Sequence, residues 1–237
     1  MLERSNLKCL HDDEEVPMTG RRSLFGFGGA VAAASLVAVV VTIGASAHTA
    51  AAPNLLKNGG ADLGPGVDDA SGIVETIPNW TRVGSFTVVT YGATGGFPDA
   101  SISKKIGGKV NFFAGGPANP RSTVTQVINI SSSKAAIDAG KRKATLSGFL
   151  GGFASQDDSL TATATFLNAA GKPLGALKIG PVSAAQRKGL TALIKKSANK
   201  LVPKKTRSIQ VRLSAARTSG SYNDGYADNL SVTLAPS

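Results

Sequence analysis

The chain has 237 residues, 42% apolar composition and a formal net charge of +11, enough for one sizeable core and a short targeting segment. Only 5% of it is aromatic, so the core must be built on Val, Ile, Leu and Ala. One cysteine, Cys9, excludes an internal disulfide, and His48, at a chain end, is the one histidine after residue 47, which leaves no candidate base for Ser-His catalysis and no ligand set for zinc.

Residues 1–20 carry an acidic run, Asp12-Asp13-Glu14-Glu15, followed by Pro17. Arg21-Arg22 come next, and no charge appears from Leu24 to Ala47, where the chain reads Ala45-Ser46-Ala47. A basic pair, an apolar run and small residues at the positions a signal peptidase reads predict a secretory signal over 1–47, cut after Ala47, with 48–53 as a linker. The run Arg21-Arg22-Ser23-Leu24-Phe25 also resembles a twin-arginine export signal, although Gly20 before it is less usual, so either route is open. A membrane anchor is the competing reading, because the uncharged run approaches the ~20 residues that span a bilayer; Gly26, Gly28, Gly29 and Gly44 speak against it. The acidic run ahead of the arginines makes Met18 an alternative start. Residues 1–47 hold four of the 26 basic and five of the 15 acidic side chains, so 22 basic and 10 acidic remain downstream, with His48 the one histidine.

From residue 54 on, the pattern is strands punctuated by turns. Residues 85–91 alternate around Phe86 and Val88, and 109–113 end ahead of Gly115-Gly116-Pro117. In 124–130, Val124, Gln126, Ile128 and Ile130 share one face. Residues 145–150 follow, then 160–167, where Thr161, Thr163 and Thr165 point outward and Ala162, Ala164 and Phe166 inward. Strands are also predicted at 174–179, 207–213 and 226–234, the last after a turn at Asn223-Asp224-Gly225. Residues 133–139 read as a helical turn stopped by Gly140, and 184–201 as loop and strand in preference to an amphipathic helix. About eight strands at short spacing with no βαβ rhythm predict an all-β, antiparallel sandwich.

The two ends of this region carry a resemblance. An opening of Asn54-Leu55-Leu56-Lys57-Asn58-Gly59-Gly60 and a closing Tyr226-Ala227-Asp228-Asn229-Leu230-Ser231-Val232-Thr233-Leu234 resemble the galactose-binding-like jelly-roll domains that include many carbohydrate-binding modules. Asn111-Phe112-Phe113 and the approach to Ile209 through Val202-Pro203 lie between them. The resemblance implies a jelly-roll β-sandwich over 54–237 and a non-catalytic binding role. It further implies a structural calcium joining the first and last strands, with Asp62 and Asp228 at the matching positions. Asp62 follows Ala61 where family members often show an aromatic and Glu, and its reach is shorter. The plain alternative is that Asp228 and Asn229 only cap local amides.

Glycan recognition needs aromatic faces and orienting polar groups. Tyr222, with Asn223 and Asp224, is the aromatic expected to be exposed, and the loop holding Phe153, Gln156 and Asp157 is the other segment rich in hydrogen-bonding groups. If the strands feeding them emerge at one end of the sandwich, the two segments form one site. Trp80 reads equally as core anchor or stacking platform. A carboxylate pair for glycoside hydrolysis could be assembled from Asp157 and Asp224, but no spacing demands it. Lys195, Lys196, Lys200, Lys204 and Lys205, with Arg187, Lys188 and Arg207, fall in one stretch without an acid and predict a basic surface. No stacking aromatics accompany it, which excludes the nucleic-acid pattern and favours anionic cell-wall polymers, with the membrane touched only through the signal segment. The expected partner is thus an extracellular polysaccharide or an anionic wall polymer, and the expected location is outside the cell or in its envelope. A structural envelope protein binding anionic polymers and a glycan-acting hydrolase are the alternatives.

Overall fold

The computed structural model describes residues 51–237. The predicted signal segment, with Cys9, Met18 and Arg21-Arg22, and His48 lie outside the described residues.

Ten strands follow in chain order: β1 (Thr81–Val83), β2 (Thr87–Thr90), β3 (Asn111–Pro117), β4 (Arg121–Asn129), β5 (Lys143–Gly152), β6 (Ser159–Leu167), β7 (Pro173–Ile179), β8 (Ala192–Leu201), β9 (Ser208–Ala216) and β10 (Tyr222–Ala235). They form two five-stranded sheets with the orders β1-β4-β9-β6-β7 and β2-β3-β10-β5-β8. Every pairing within them is antiparallel. This is the antiparallel sandwich expected from the strand rhythm, and the jelly roll that the resemblance of the two chain ends implies.

The alternating side chains set the layers. Along β6 the alanines and Phe166 are buried while Thr161, Thr163 and Thr165 stay partly exposed, and Val124, Gln126 and Ile128 of β4 turn inward. Phe86, Phe113, Leu146, Leu160, Ile209 and Leu213 fill the space between the sheets. Trp80 belongs to this core: its ring meets Phe113 edge-on at 5.5 Å, and its Nε1 donates to Asn58 O at 3.2 Å. It is an anchor, not a platform.

The outer face of the β2-β3-β10-β5-β8 sheet carries a second apolar layer. Val89, Phe112, Tyr222 and Tyr226 cluster there with Phe97 and Ile106 of the covering residues 91–108, which include the helix α1 (Ala100–Ile106). Sequence periodicity alone left α1 unassigned. Asp99 caps it, accepting from Ser101 N at 2.9 Å and Ile102 N at 3.0 Å, and Gly107 ends it at φ 67°, a left-handed conformation that glycine takes without strain. The predicted helical turn is present as a 3₁₀ turn (Ser131–Ser133) running into α2 (Lys134–Asp138).

Candidate functional site

The first and last segments of the domain are joined by their backbones and by Asn54. Leu55 N donates to Val232 O at 2.8 Å and Leu230 N to Gly59 O at 2.9 Å. Asn54 donates its Nδ2 to Leu230 O and accepts Val232 N on Oδ1, each at 3.0 Å. This clasp brings the two predicted metal ligands together. A Cβ built on Gly60 would lie 2.8 Å from Asp62 Oδ2, 3.5 Å from Asp228 Oδ1 and 3.7 Å from Asn229 Oδ1. Three side-chain oxygens therefore converge on one small space that a side chain at position 60 would fill.

The remaining valences of these groups are used structurally. Asp62 Oδ1 accepts Val110 N and Asn111 N at 3.1 and 3.2 Å, Tyr91 donates to Asp228 Oδ2 at 2.8 Å, and Asn229 Nδ2 donates to Ile106 O at 3.1 Å. Asp228 is fully buried, and that burial, with the Asp62 charge beside it, pushes its carboxyl up to about 7 against the pull of Tyr91 and the Asn229 amide. An all-oxygen donor set around a buried carboxylate fits a hard cation such as calcium, which takes 6–8 oxygens. Among the described residues no cluster of three or more acidic, His or Cys side chains forms, so amide and backbone oxygens would complete the shell.

The two segments expected to form a ligand site do meet, but not as exposed loops. Asp158 ties them: its Oδ2 accepts Asp224 N at 3.0 Å, and its Oδ1 accepts Thr218 N at 2.6 Å and Ser219 N at 3.1 Å. The predicted turn at Asn223-Asp224-Gly225 is instead the start of β10, where the register against β3 shifts between Asn223 and Tyr226. Tyr222 is buried, 8% exposed, because its ring is drawn under the 91–108 cover onto Phe97 at 5.1 Å. Asn223 is fully buried and Asp224 half-buried. Phe153 packs over Gly96, and Asp157 stays exposed while accepting Ala184 N at 2.8 Å. Gln156 donates its backbone N–H to Phe153 O at 3.0 Å, and its Oε1 is buried without a partner among the described residues. Tyr222 is therefore a buried ring of the second core and not the exposed stacking platform expected.

Asp224 carries a consequence for stability. Burial, reinforced by Asp158 and opposed by the Tyr226 hydroxyl and Arg187, pushes its carboxyl up to about 6. A carboxyl raised on folding holds its proton more readily when folded, so its contribution is fully present below its ordinary value near 4 and is lost as pH rises through about 6. Asp224→Asn is expected to gain about 1–2 kcal/mol on wild type between pH 4 and 7, after discounting for partial solvation. Urea unfolding of both proteins at the two pH values measures it; parallel behaviour would contradict the assignment. The exposed Asp69, Asp99 and Asp138, whose carboxyls hydrogen bonds pull down, titrate alike in both proteins and cancel.

The basic stretch is divided by strand alternation. Ile194 and Ala198 of β8 pack on the core, so Lys196 and Lys200 share their side of this edge strand, and Lys195 faces the opposite way. Lys204 and Lys205 lie exposed in the turn after β8. Arg187 is buried, and Arg207 is paired with Asp138 at 2.7 Å. The single basic surface expected from the run is thus several separate placements.

What sequence reading missed is the open half of the outer sheet face. Where 91–108 cease to cover it, β10, β5 and β8 present Ser231, Ser147 and Ser197 in one row across the strands, and Thr233, Thr145 and Asn199 in the next. All six are partly or fully exposed, and the residues alternating with them, Leu146, Ala144 and Val232, enter the core. The row on the covered side is Asp228, Phe149 and Lys195, with Phe149 half-buried at the border. The signal was present as alternating Thr145 and Ser147, Ser197 and Asn199, Ser231 and Thr233, but their register needed the fold.

No protein-family model matches the sequence, and no curated protein matches it. Among solved structures, the chain is similar to the enzymatically active domain of bacteriophage CBA120 tailspike protein 4, with 17% identity over 77% of this chain and a TM-score of 0.46; it spans 21% of that chain. It is similar to TmCBM61 in complex with beta-1,4-galactotriose, with 14% identity, 78% of this chain and 99% of that one covered, and a TM-score of 0.44. It is also similar to the CBM22-1 xylan-binding domain from Paenibacillus barcinonensis Xyn10C, with 11% identity, 67% and 87% covered, and a TM-score of 0.37. Carbohydrate-binding modules are among the solved structures similar to this chain.

Proposed function

We propose that this chain is an exported, non-catalytic carbohydrate-binding module that lays a glycan across the open hydroxyl rows of β10, β5 and β8. The observation that carries the reading is the in-register pair of rows, Ser231-Ser147-Ser197 and Thr233-Thr145-Asn199, on a partly exposed sheet face. Hydroxyls donate and accept, as sugar hydroxyls do, and cross-strand neighbours about 5 Å apart offer them at regular intervals. Phe149 adds an apolar edge for the C–H face of a ring. Lys195 stands beside it as an orienting donor.

Calcium has a structural part in this reading. Asp62, Asp228 and Asn229 would hold it, and when bound the ion supplies the positive charge that two converging carboxylates lack, locking the opening segment to β10. The export reading of residues 1–47 supplies the location, outside the cell or in its envelope.

Phe149→Ala tests the site. Retention of the full-length chain on its best neutral polysaccharide, at high salt and with calcium present, is expected to weaken about ten-fold, or ~1.4 kcal/mol. A folded variant that binds like wild type would contradict the reading.

A further inference from the structure

The opposite sheet carries a trough of different chemistry. Two shallow concavities, of about 360 and 520 Å³, meet at Val127 of β4, an apolar side chain that is 59% exposed. Lys57, Asn79, Thr81 and Thr125 line the smaller one. The larger continues past Asn129 to Ser131, Lys134, Asn168 and Arg207. No acidic side chain lines either concavity among the described residues, and Arg207 of the larger one is paired with Asp138 at 2.7 Å.

The trough is built to present donors. Asn129 spends its Oδ1 on Ser131 N at 2.9 Å, and Asn168 spends its own on Ala170 N and Lys172 N at 3.0 and 2.9 Å. Neither side-chain amide donates its N–H groups to a protein acceptor among the described residues. The wall at the other end is fixed by Gln126, a side chain only 8% exposed. It accepts Lys57 N at 2.8 Å and donates to Lys57 O at 2.9 Å and Asn79 O at 3.1 Å. Both the Lys57 and Asn79 backbones are thereby pinned to β4.

Lysines at both ends, amide donors between them and an exposed apolar centre select a ligand that is extended, rich in acceptors and negatively charged. The cavity is too open to enclose a compact molecule, and Val127 offers a place for the C–H face of a sugar ring. We propose that this trough binds a strand of acidic polysaccharide carrying carboxylates on its rings, as a second glycan site on the sheet opposite the hydroxyl rows. The proposal rests on the glycan reading for the class of polymer, but its location and charge preference are independent of it.

Affinity electrophoresis of the full-length chain tests this with three probes: polygalacturonate, its methyl ester, and poly(glycerol phosphate), which has charge without sugar rings. Polygalacturonate is expected to retard the wild type, less so as salt rises, and at least about ten-fold more strongly than either other polymer. The double variant Lys57→Glu/Lys134→Glu is expected to lose about ten-fold in affinity with an unchanged melting temperature, and Lys57→Gln/Lys134→Gln to fall between. Phe149→Ala should leave this binding intact, which separates failure of the trough from failure of the hydroxyl rows. Equal retardation by the methyl ester or by poly(glycerol phosphate), no retardation by polygalacturonate, or full retention by the double variant would each overturn the proposal.

Discussion

Replacing Arg187 with methionine is expected to lower the unfolding free energy by about 3–5 kcal/mol, the largest effect of any single substitution considered for this domain. Arg187 is 2% exposed, and its guanidinium is surrounded by backbone carbonyls. Nη1 donates to Gly152 O at 3.0 Å and to Ala154 O and Leu190 O at 2.6 Å each, while Nη2 donates to Gln156 O. Burial pulls its pKa below the ordinary arginine value while Asp157, Asp224 and Asp158 oppose that, and a guanidinium remains charged throughout. Methionine matches much of the length but leaves these carbonyls without their donor, so the turn after β5 and the loop before β8 lose their common tie. Arg187→Lys should recover only part of the loss, because an ammonium lacks the planar fork. Urea unfolding followed by Trp80 fluorescence measures both variants; a loss below about 1 kcal/mol for methionine would show that the carbonyls find other partners.

Calcium is expected to stabilise the wild type and to leave Asp228→Asn unmoved. At a hundred-fold excess over the dissociation constant, a ligand specific to the folded state contributes about 2.7 kcal/mol, which for a domain of this size raises the melting temperature by roughly 5–10 °C. Asp228 lies fully buried beside Asp62 and its carboxyl, pushed up to about 7, is about half protonated at neutral pH, so the ion would displace that proton and neutralise the buried carboxylate. Magnesium should do less, since it demands a small octahedral shell and sheds water reluctantly. Thermal melts of the full-length chain with and without each ion decide the matter. An equal calcium shift in Asp228→Asn would remove that residue from the ligand set.

Much of the fold was legible because strand alternation is a local property. The Thr-Ala rhythm of β6 and the shared face of Val124, Gln126 and Ile128 in β4 match the burial seen in the sandwich. The pairing of Asp62 with Asp228 was legible through the resemblance of the two chain ends, and the clasp through Asn54 gives it a physical basis. Tyr222 was misplaced for a tertiary reason. Its polar neighbours read as a turn, yet residues 91–108 fold over the outer sheet face and turn that ring into a second core with Phe97. Arg187 reads in the sequence as one of a run of surface cations, although a cage of carbonyls from the 152–156 segment and its own loop buries it. The helix α1 is seven residues long, too short for periodicity to reveal, and only the Asp99 cap and the Gly107 stop marked it. The serine and threonine rows depend on the register of three strands that are far apart in sequence, which no local pattern encodes.

The most direct test of the glycan reading fills its platform without touching the core. Ser147 stands at the centre of the row between Ser231 and Ser197, partly exposed, and a tryptophan there would cover both hydroxyl rows. Ser147→Trp should abolish high-salt retention of the full-length chain on neutral polysaccharide while leaving its melting temperature and its calcium response as in wild type. Undiminished retention by a folded Ser147→Trp protein would contradict the claim that this face holds the glycan.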